Sequence, residues 1–374
     1  MNVAFSEEQE ELRRALRRFL EDKSPEAEVR RLMETTEGYD PAVWAQMGEQ
    51  LGLQGLAVPE EYGGSGFGWV EVGIVMEEMG RALLPAPFLA TVGLATSALL
   101  ASGDEAAMAD YLPGIAAGDT VATLAVTEPD GRWGTDAVSL TAVADGDGWR
   151  LEGTKSFVLD GHTADLVLVA ARAGGDGGGL SLLAVDGGAE GLTRTPLSTM
   201  DMTRKQARLE FAGTPARLVG EAGGAGAGLS RALDLAAVLL AAEQVGGAQR
   251  CLEMAVDYAK VRVQFGRPIG SFQAVKHKCA EMYVAVESAR AAAYYAMFTA
   301  AAGGDDLPVV ASLAKSFCSE AYFSAAAENI QIHGGIGFTW EHPAHLYFRR
   351  AKSSELLLGE PAYHRELLAQ RIGL

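Results

Sequence analysis

The stretch from Gln331 to His342, QIHGGIGFTWEH, decides how this chain is read. It closes an alanine-rich segment, Leu307 to Gln331, whose composition predicts helix, and it then turns on Gly334, Gly335 and Gly337. Glycine belongs where backbone takes a positive φ or must come very close to another group. Two readings follow. One is a plain glycine cap between two helices. The other is a backbone surface shaped to meet a phosphate or a flat ring. A second stretch, Arg262 to Gln273, RVQFGRPIGSFQ, lies about a helical hairpin upstream. It combines two arginines with two aromatic rings and two glycines.

Taken together these residues carry a resemblance. Arg262, Phe265, Gly266, Ile269, Phe272 and Gln273 match the run R-x-x-F-G-x-x-I-x-x-F-Q, and Gln331, Gly334, Gly335, Gly337 and Phe338 match Q-x-x-G-G-x-G-[FY]. Thr127-Glu128-Pro129 matches a T-E-P segment, and the loop around Pro59 to Gly66 matches P-E-E-Y-G-G-x-G. The set resembles the acyl-CoA dehydrogenase family over essentially the whole chain, in an actinobacterial-type branch. The resemblance implies an α+β fold: an N-terminal helical domain, a middle antiparallel β domain and a C-terminal four-helix bundle, with FAD in the cleft between β domain and bundle. It implies FAD-dependent α,β-dehydrogenation of an acyl-CoA thioester, as in fatty-acid or steroid side-chain β-oxidation. Implied partners are an electron acceptor such as an electron-transfer flavoprotein and further subunits in a homo- or hetero-tetramer. The same fold also serves flavin monooxygenases and non-catalytic flavin-binding subunits of heteromeric acyl-CoA dehydrogenases.

Composition narrows the classes independently. With 374 residues and 48% hydrophobic content, the chain can bury a sizeable core in two or three domains. A formal charge of −18 argues against nucleic acid and anionic membrane surfaces as partners. Cys251, Cys279 and Cys318 lie in predicted helices without metal-ligand spacing and read as buried apolar residues in a reducing, cytoplasmic setting. No signal-like core precedes Glu7, and the longest apolar run, Ala232 to Ala242, contains Asp234 and is too short to span a membrane. The histidines lack a metal-binding spacing, so no metal is expected.

The organisation reads in three segments. Residues 1–118 are helical, opening on Ser6-Glu7-Glu8-Gln9, which has capping-box spacing, and including Leu89 to Ser102 and Glu105 to Ala117. Residues 119–228 alternate as short strands with glycine turns at Asp145 to Gly148, Gly174 to Gly179 and Gly187-Gly188. With no helix between these strands the sheet is expected to be antiparallel, and GEAGGAGAG, 220–228, to be a flexible connector. Residues 229–374 form long apolar helices joined by short turns, a bundle.

The resemblance also assigns site residues. Arg262, Gln331 and Gly335 are expected to reach across a subunit interface to the pyrophosphate and adenosine of FAD, and Phe265 reads either as packing on the adenine or as plain core. Val126 and Thr127 are expected at its ring system, with Phe157 as an aromatic platform. Where the family carries Trp-x-Thr the chain has Phe157 and Leu159, so the threonine hydroxyl is missing. The reaction requires a carboxylate base in a dry site and donors on the thioester oxygen. In the family those donors are a flavin ribityl hydroxyl and a backbone N–H. Both usual glutamate positions are apolar: Leu358, before Gly359, and Ala236 on the first bundle helix. Two acids lie near. Glu243, seven residues beyond Ala236, is flanked by Leu239, Leu240, Ala241, Ala242 and Val245. It reads either as a base whose pKa such surroundings raise or as a structural acid paired with an Arg or Lys. Glu360, before Pro361, reads either as the base or as a first-turn helix acid.

Overall fold

The computed structural model describes residues 4–173 and 178–374. The glycine turn expected at 174–179 therefore lies largely outside the described residues. Packing divides the chain into two compact units that cut across its linear order. One comprises residues up to Arg30, Trp69–Leu84 and Ala237–Leu374; the other comprises Arg31–Gly68 and Pro85–Ala236.

The first unit is helical. Its members are α1 (Glu7–Lys23), the start of α2 (Glu26–Met33), and, after α3 (Pro41–Glu49) in the other unit, α4 (Trp69–Ala82). The capping box at the head of α1 forms as its spacing predicts. The Gln9 amide N–H donates to Ser6 Oγ at 3.2 Å, and the Ser6 N–H donates to Gln9 Oε1 at 2.9 Å. Glu77 and Glu78 of α4 are buried, and arginines satisfy them. Arg13 donates to Glu77 at 2.7 Å, and Arg17 grips Glu78 with two bonds of 2.9 and 2.7 Å.

The other unit holds α3, α5 (Ser97–Ser102), α6 (Glu105–Ala117) and the strands. The helix expected over 89–102 begins instead as a π-helix, Leu89–Thr96. Thr96 Oγ1 donates to the Thr91 carbonyl five residues back, at 3.0 Å, which holds the wider turn closed. Seven strands follow: β1 (Ala122–Ala125), β2 (Thr141–Asp145), β3 (Gly148–Leu159), β4 (Leu166–Ala173), β5 (Gly179–Asp186), β6 (Leu192–Pro196) and β7 (Gln206–Val219). The pairings run β4–β2–β3–β7–β5 and back to β4, so the sheet closes on itself as a small barrel. Its core is filled by small and branched residues such as Ala142, Val167, Val169, Ala171 and Val185, with Phe211.

The expectation of a purely antiparallel sheet is corrected here. β4 runs parallel to β1 and to β2. A parallel neighbour needs a long crossover, usually a helix. In this chain the β2–β3 hairpin itself supplies that crossover. The flexible connector is corrected too. The Gly220 N–H donates to Asp104 at 2.8 Å, the Gly223 N–H to Ser181 Oγ at 2.7 Å and the Ala225 N–H to the Leu180 carbonyl at 2.9 Å, so the stretch is pinned before α7 (Gly226–Val261) begins.

The remaining chain completes the helical unit: a two-stranded hairpin, β8 (Val263–Gln264) with β9 (Arg267–Pro268), then α8 (Gln273–Ala301), α9 (Leu307–His333), α10 (Ala344–Leu356) and α11 (Pro361–Arg371). Glycines permit the tightest approaches. A Cβ on Gly246 of α7 would fall 1.8 Å from the Glu77 carbonyl of α4, and one on Gly247 would fall 2.4 Å from the ring of Tyr322 on α9. The two neighbours on α7 thus let it pack closely on α4 and on α9. Among the described residues no helix is long and apolar enough to cross a membrane.

Candidate active site

In the barrel unit the sequence-assigned residues Val126, Thr127 and Phe157 come together at the end of β1. Thr127 Oγ1 donates to the Ser156 carbonyl at 2.5 Å, and the Ser156 N–H returns a bond to the Thr127 carbonyl at 3.0 Å. Lys155, fully buried, donates to the Val126 carbonyl at 2.8 Å and to Glu128 at 2.9 Å. Glu128 also accepts from the Leu140 and Ser139 N–H groups, each at 2.8 Å, and from the Ser139 hydroxyl. Burial is the largest influence on Glu128 and pushes its pKa up, but the Ser139 hydroxyl, the Leu140 amide and Lys155 together outweigh it and bring it down to about 2. Burial lowers Lys155 to about 8, against the opposing pull of Glu128. The pair is therefore charged at neutral pH.

This clamp shapes the strand beyond it. Phe157 sits at φ 58°, a left-handed conformation rare for a bulky side chain, within a register break between Lys155 and Val158. The break leaves its ring 38% exposed while Leu159 turns inward and is buried. The aromatic platform is thus presented, and the missing hydroxyl has no substitute at Leu159. Lys155 was not singled out by sequence reasoning; a lysine in an alternating strand gives no sign that it faces inward.

In the helical unit Arg262 and the glycine turn lie at one end of the bundle. Tyr258, one turn before Arg262, stacks on His333 with ring centroids 4.3 Å apart, and His333 stacks on His342 at 4.3 Å. Arg262 and Gln331 are exposed. The hairpin tip, Phe265-Gly266, has both residues at positive φ, 53° and 78°, and Phe265 stands 90% exposed. A two-residue mirror-image turn favours Asn or Gly at its first position, so a phenylalanine there is a strained choice. In the glycine turn the three glycines differ in purpose. Gly334 takes φ 65°, and a Cβ on Gly337 would fall 2.8 Å from the His333 Cβ. A Cβ on Gly335 would meet nothing within 4 Å, so the fold itself gives no reason for a glycine there. That is what a backbone kept bare for a bound group looks like.

The carboxylates are placed as follows. Glu243 is buried, but its surroundings are not purely apolar as the flanking residues suggest. Arg350 Nη1 lies 3.4 Å and Ser354 Oγ 3.3 Å from its Oε1. Both partners come from α10, so only the tertiary fold reveals them. Glu360 is exposed and stands at the N-cap of α11 without a side-chain capping bond. Leu358 and Ala236 are buried. Leu358 takes φ 61°, which costs an L-residue about 1–2 kcal/mol. Around it, His364 Nε2 donates to the Leu358 carbonyl at 2.9 Å, and buried Lys315 donates to the Gly359 and Glu355 carbonyls at 3.0 and 3.1 Å. Among the described residues no group of three or more His, Cys, Asp or Glu is arranged to hold a metal ion.

Known proteins place this arrangement. The chain matches the acyl-CoA dehydrogenase N-terminal domain over residues 6–119, the middle domain over 123–213 and the C-terminal domain over 224–373. It is 40% identical to the acyl-CoA dehydrogenase IpdE2 of Mycolicibacterium smegmatis, covering 96% of each chain. Among solved structures it resembles the Tcur3481-Tcur3483 steroid ACAD at 34% identity, with a TM-score of 0.87 over 98% of each chain. It also resembles the ChsE4-ChsE5 complex from Mycobacterium tuberculosis at 28% identity, with a TM-score of 0.90 over 100% of this chain and 99% of that one. With three matched domains in order and a relative of this identity along nearly its full length, the chain belongs to the acyl-CoA dehydrogenase family.

Proposed function

We propose that the chain takes part in FAD-dependent α,β-dehydrogenation of an acyl-CoA thioester as the subunit that contributes flavin contacts, while a homologous partner supplies the base. The observation that carries this reading is the state of its carboxylates. Leu358 and Ala236 are buried and apolar, Glu360 points to solvent and Glu243 is engaged by Arg350. A base must be free to take a proton, and a carboxylate held by a buried guanidinium is a poor one. Arg262, Gln331 and Gly335 would hold the phosphate and adenosine portion of FAD, and Val126, Thr127 and Phe157 its ring system. Bound there, FAD supplies the acceptor for the substrate's β-hydride. The chain's own part is to bind and orient: Arg262 through a charge-assisted contact, Gly335 through bare backbone, Phe157 through a presented ring. Its relatives' names support both halves of the reading, since one is a steroid ACAD and another a complex of two named chains. Steroid-derived acyl-CoA thioesters are accordingly the first substrates to try, with electrons leaving to a separate acceptor such as an electron-transfer flavoprotein.

The test is anaerobic flavin bleaching by a panel of acyl-CoAs, on the chain alone and co-expressed with a homologous chain that carries glutamate at the α10–α11 turn. Bleaching only in the pair is expected. Bleaching by the chain alone overturns the division of labour, and then Glu243→Gln and Glu360→Gln would decide which acid is the base.

A further inference from the structure

The glycine turn between α9 and α10 is closed at its base by two histidines. His333 ends α9, and His342 stands two residues before the start of α10. Their rings stack with centroids 4.3 Å apart, and Tyr258 of α7 backs His333 at the same distance. Between them run Gly335, with open space where a side chain would stand, and the exposed Phe338 and Trp340. Two of the region's histidines donate to carbonyls. His333 Nδ1 donates to the Asn329 carbonyl at 2.8 Å, and His345 Nε2 donates to the Trp340 carbonyl at 3.3 Å.

His342 accepts instead. The Ala344 N–H donates to its Nδ1 at 3.2 Å. A ring nitrogen that accepts carries no proton, so the neutral imidazole holds its proton on Nε2. Ala344 is the first residue of α10, and its N–H is one of those a helix leaves without a partner in its own first turn. Pro343, at the N-cap, makes no side-chain capping bond. His342 thus does for α10 what a serine or aspartate does at other helix starts. Protonation reverses the contact. An Nδ1–H would face the Ala344 N–H, donor against donor, and a cation would sit at the positive end of the helix. The charged and titratable groups around His342 are His333 of α9, His345 of α10, and Glu26 and Arg30 of α2. Burial, and next His333, hold its pKa below the ordinary imidazole value; His345 and Arg30 add to this, and Glu26 pulls the other way.

We propose that His342 is a positioning residue for flavin: its neutral ring pins the start of α10 to the base of the turn and so holds Gly335 in place for FAD, and protonation lets the turn go. That role presupposes that Gly335 meets FAD, as in the function proposed for the chain. Because the flavin-holding turn favours the unprotonated ring, FAD retention is complete above the ordinary imidazole pKa of 6.5 and is lost as pH falls through the lowered value.

The experiment measures FAD affinity of the full chain, in the assembly it forms, by flavin fluorescence between about pH 7.5 and about pH 5.5, a window above the range in which ordinary carboxylates titrate. The parent is expected to bind about tenfold more weakly at the acid end. His342→Asn keeps an acceptor but takes no proton, so it should bind throughout as it does at neutral pH. His342→Phe keeps a ring to stack on His333 and loses the acceptor, so it should bind throughout as weakly as the parent does in acid. A parent without the acid step overturns the proposal, and so does a step of parental size that survives in both variants. Thermal melts at each pH establish that the variants are folded. If they do not fold, nitrogen-15-labelled histidine in the parent decides by magnetic resonance: a His342 pKa lower with FAD than without supports the proposal, and equal values overturn it. A parent that holds no FAD even at about pH 7.5 is a different failure. It removes the flavin assignment of Gly335, and the role of His342 falls with it.

Discussion

At Glu243 the sequence shows an acid in a run of leucines and alanines, and the fold adds what the run conceals, Arg350 and Ser354 approaching from α10. Removing the acid takes from a buried guanidinium the carboxylate it faces at 3.4 Å. Glu243→Ala is therefore expected to destabilise the chain by about 3–5 kcal/mol, whether or not flavin is bound. Thermal unfolding of the flavin-free protein checks this, and a change below about 1 kcal/mol would show that the pair contributes little. Gly335 makes the opposite prediction. Because a Cβ there meets nothing within 4 Å, Gly335→Val should leave unfolding unchanged yet abolish FAD retention. A stability loss comparable to other core changes would mean that the glycine serves the fold after all. The Lys155–Glu128 clamp adds a pH dependence. Glu128 has its pKa depressed to about 2 in the folded chain, so its contribution is complete above the ordinary carboxylate range and fades as pH falls towards 2. Lys155, lowered to about 8, acts in another window. Between about 8 and its ordinary 10.5 the unfolded chain binds more protons, so this residue makes stability rise with pH there. Acid denaturation of Glu128→Gln should consequently start from a lower stability and show a shallower loss between pH 4.5 and 2 than the parent.

Elements were legible to the extent that their signals are local. The capping box of α1, the proline that opens α3 and the glycine turn after α9 are written in a few neighbouring residues, and each appears where its residues put it. The barrel's parallel pairs were not legible. They join β1 and β2 to β4 across tens of residues, and strand periodicity carries no information about which distant strand lies alongside. The Arg262 and Gln331 motifs were visible as patterns, but the Tyr258–His333 stack that brings their elements to one end of the bundle was not, because an aromatic on an amphipathic helix reads as ordinary core. Helix–helix approach was equally hidden. Gly246 in the sequence is one small residue among many; in the fold it is the point where α7 meets the Glu77 carbonyl of α4. Gly246→Ala should thus force those helices apart and destabilise by about 1–3 kcal/mol, the usual scale for overpacking, where an exposed helical Gly→Ala would stabilise. A denaturant midpoint equal to or above the parent's would show that α7 has room to move.

At the scale of the whole molecule, the residues assigned to FAD phosphate and adenosine do not look inward. Arg262 and Gln331 are exposed, Phe265 is 90% and Phe338 84% exposed, and Val261, Val263, Ile336 and Trp340 on the same two stretches are exposed as well. Apolar side chains presented in this number mark a surface made for a partner. If that partner is another dehydrogenase-fold chain, Arg262, Gln331 and Gly335 serve flavin that the other chain also grips, and FAD occupancy becomes a property of the assembly. Occupancy should then fall on dilution together with the oligomer, because ligand affinity and subunit association are linked. Phe265→Ser should lower both without altering the fold of the chain, since the ring is 90% exposed and meets Phe272 only edge-on, at 6.1 Å. Arg262→Ala should instead weaken FAD by about 1.5–3 kcal/mol, the scale of a charge-assisted bond, while leaving association nearly intact. Mass photometry beside the flavin absorbance of the same dilution series separates the two effects. A monomer that keeps its flavin at nanomolar concentration would show that a single chain binds FAD unaided, and would leave these exposed rings without the role assigned to them.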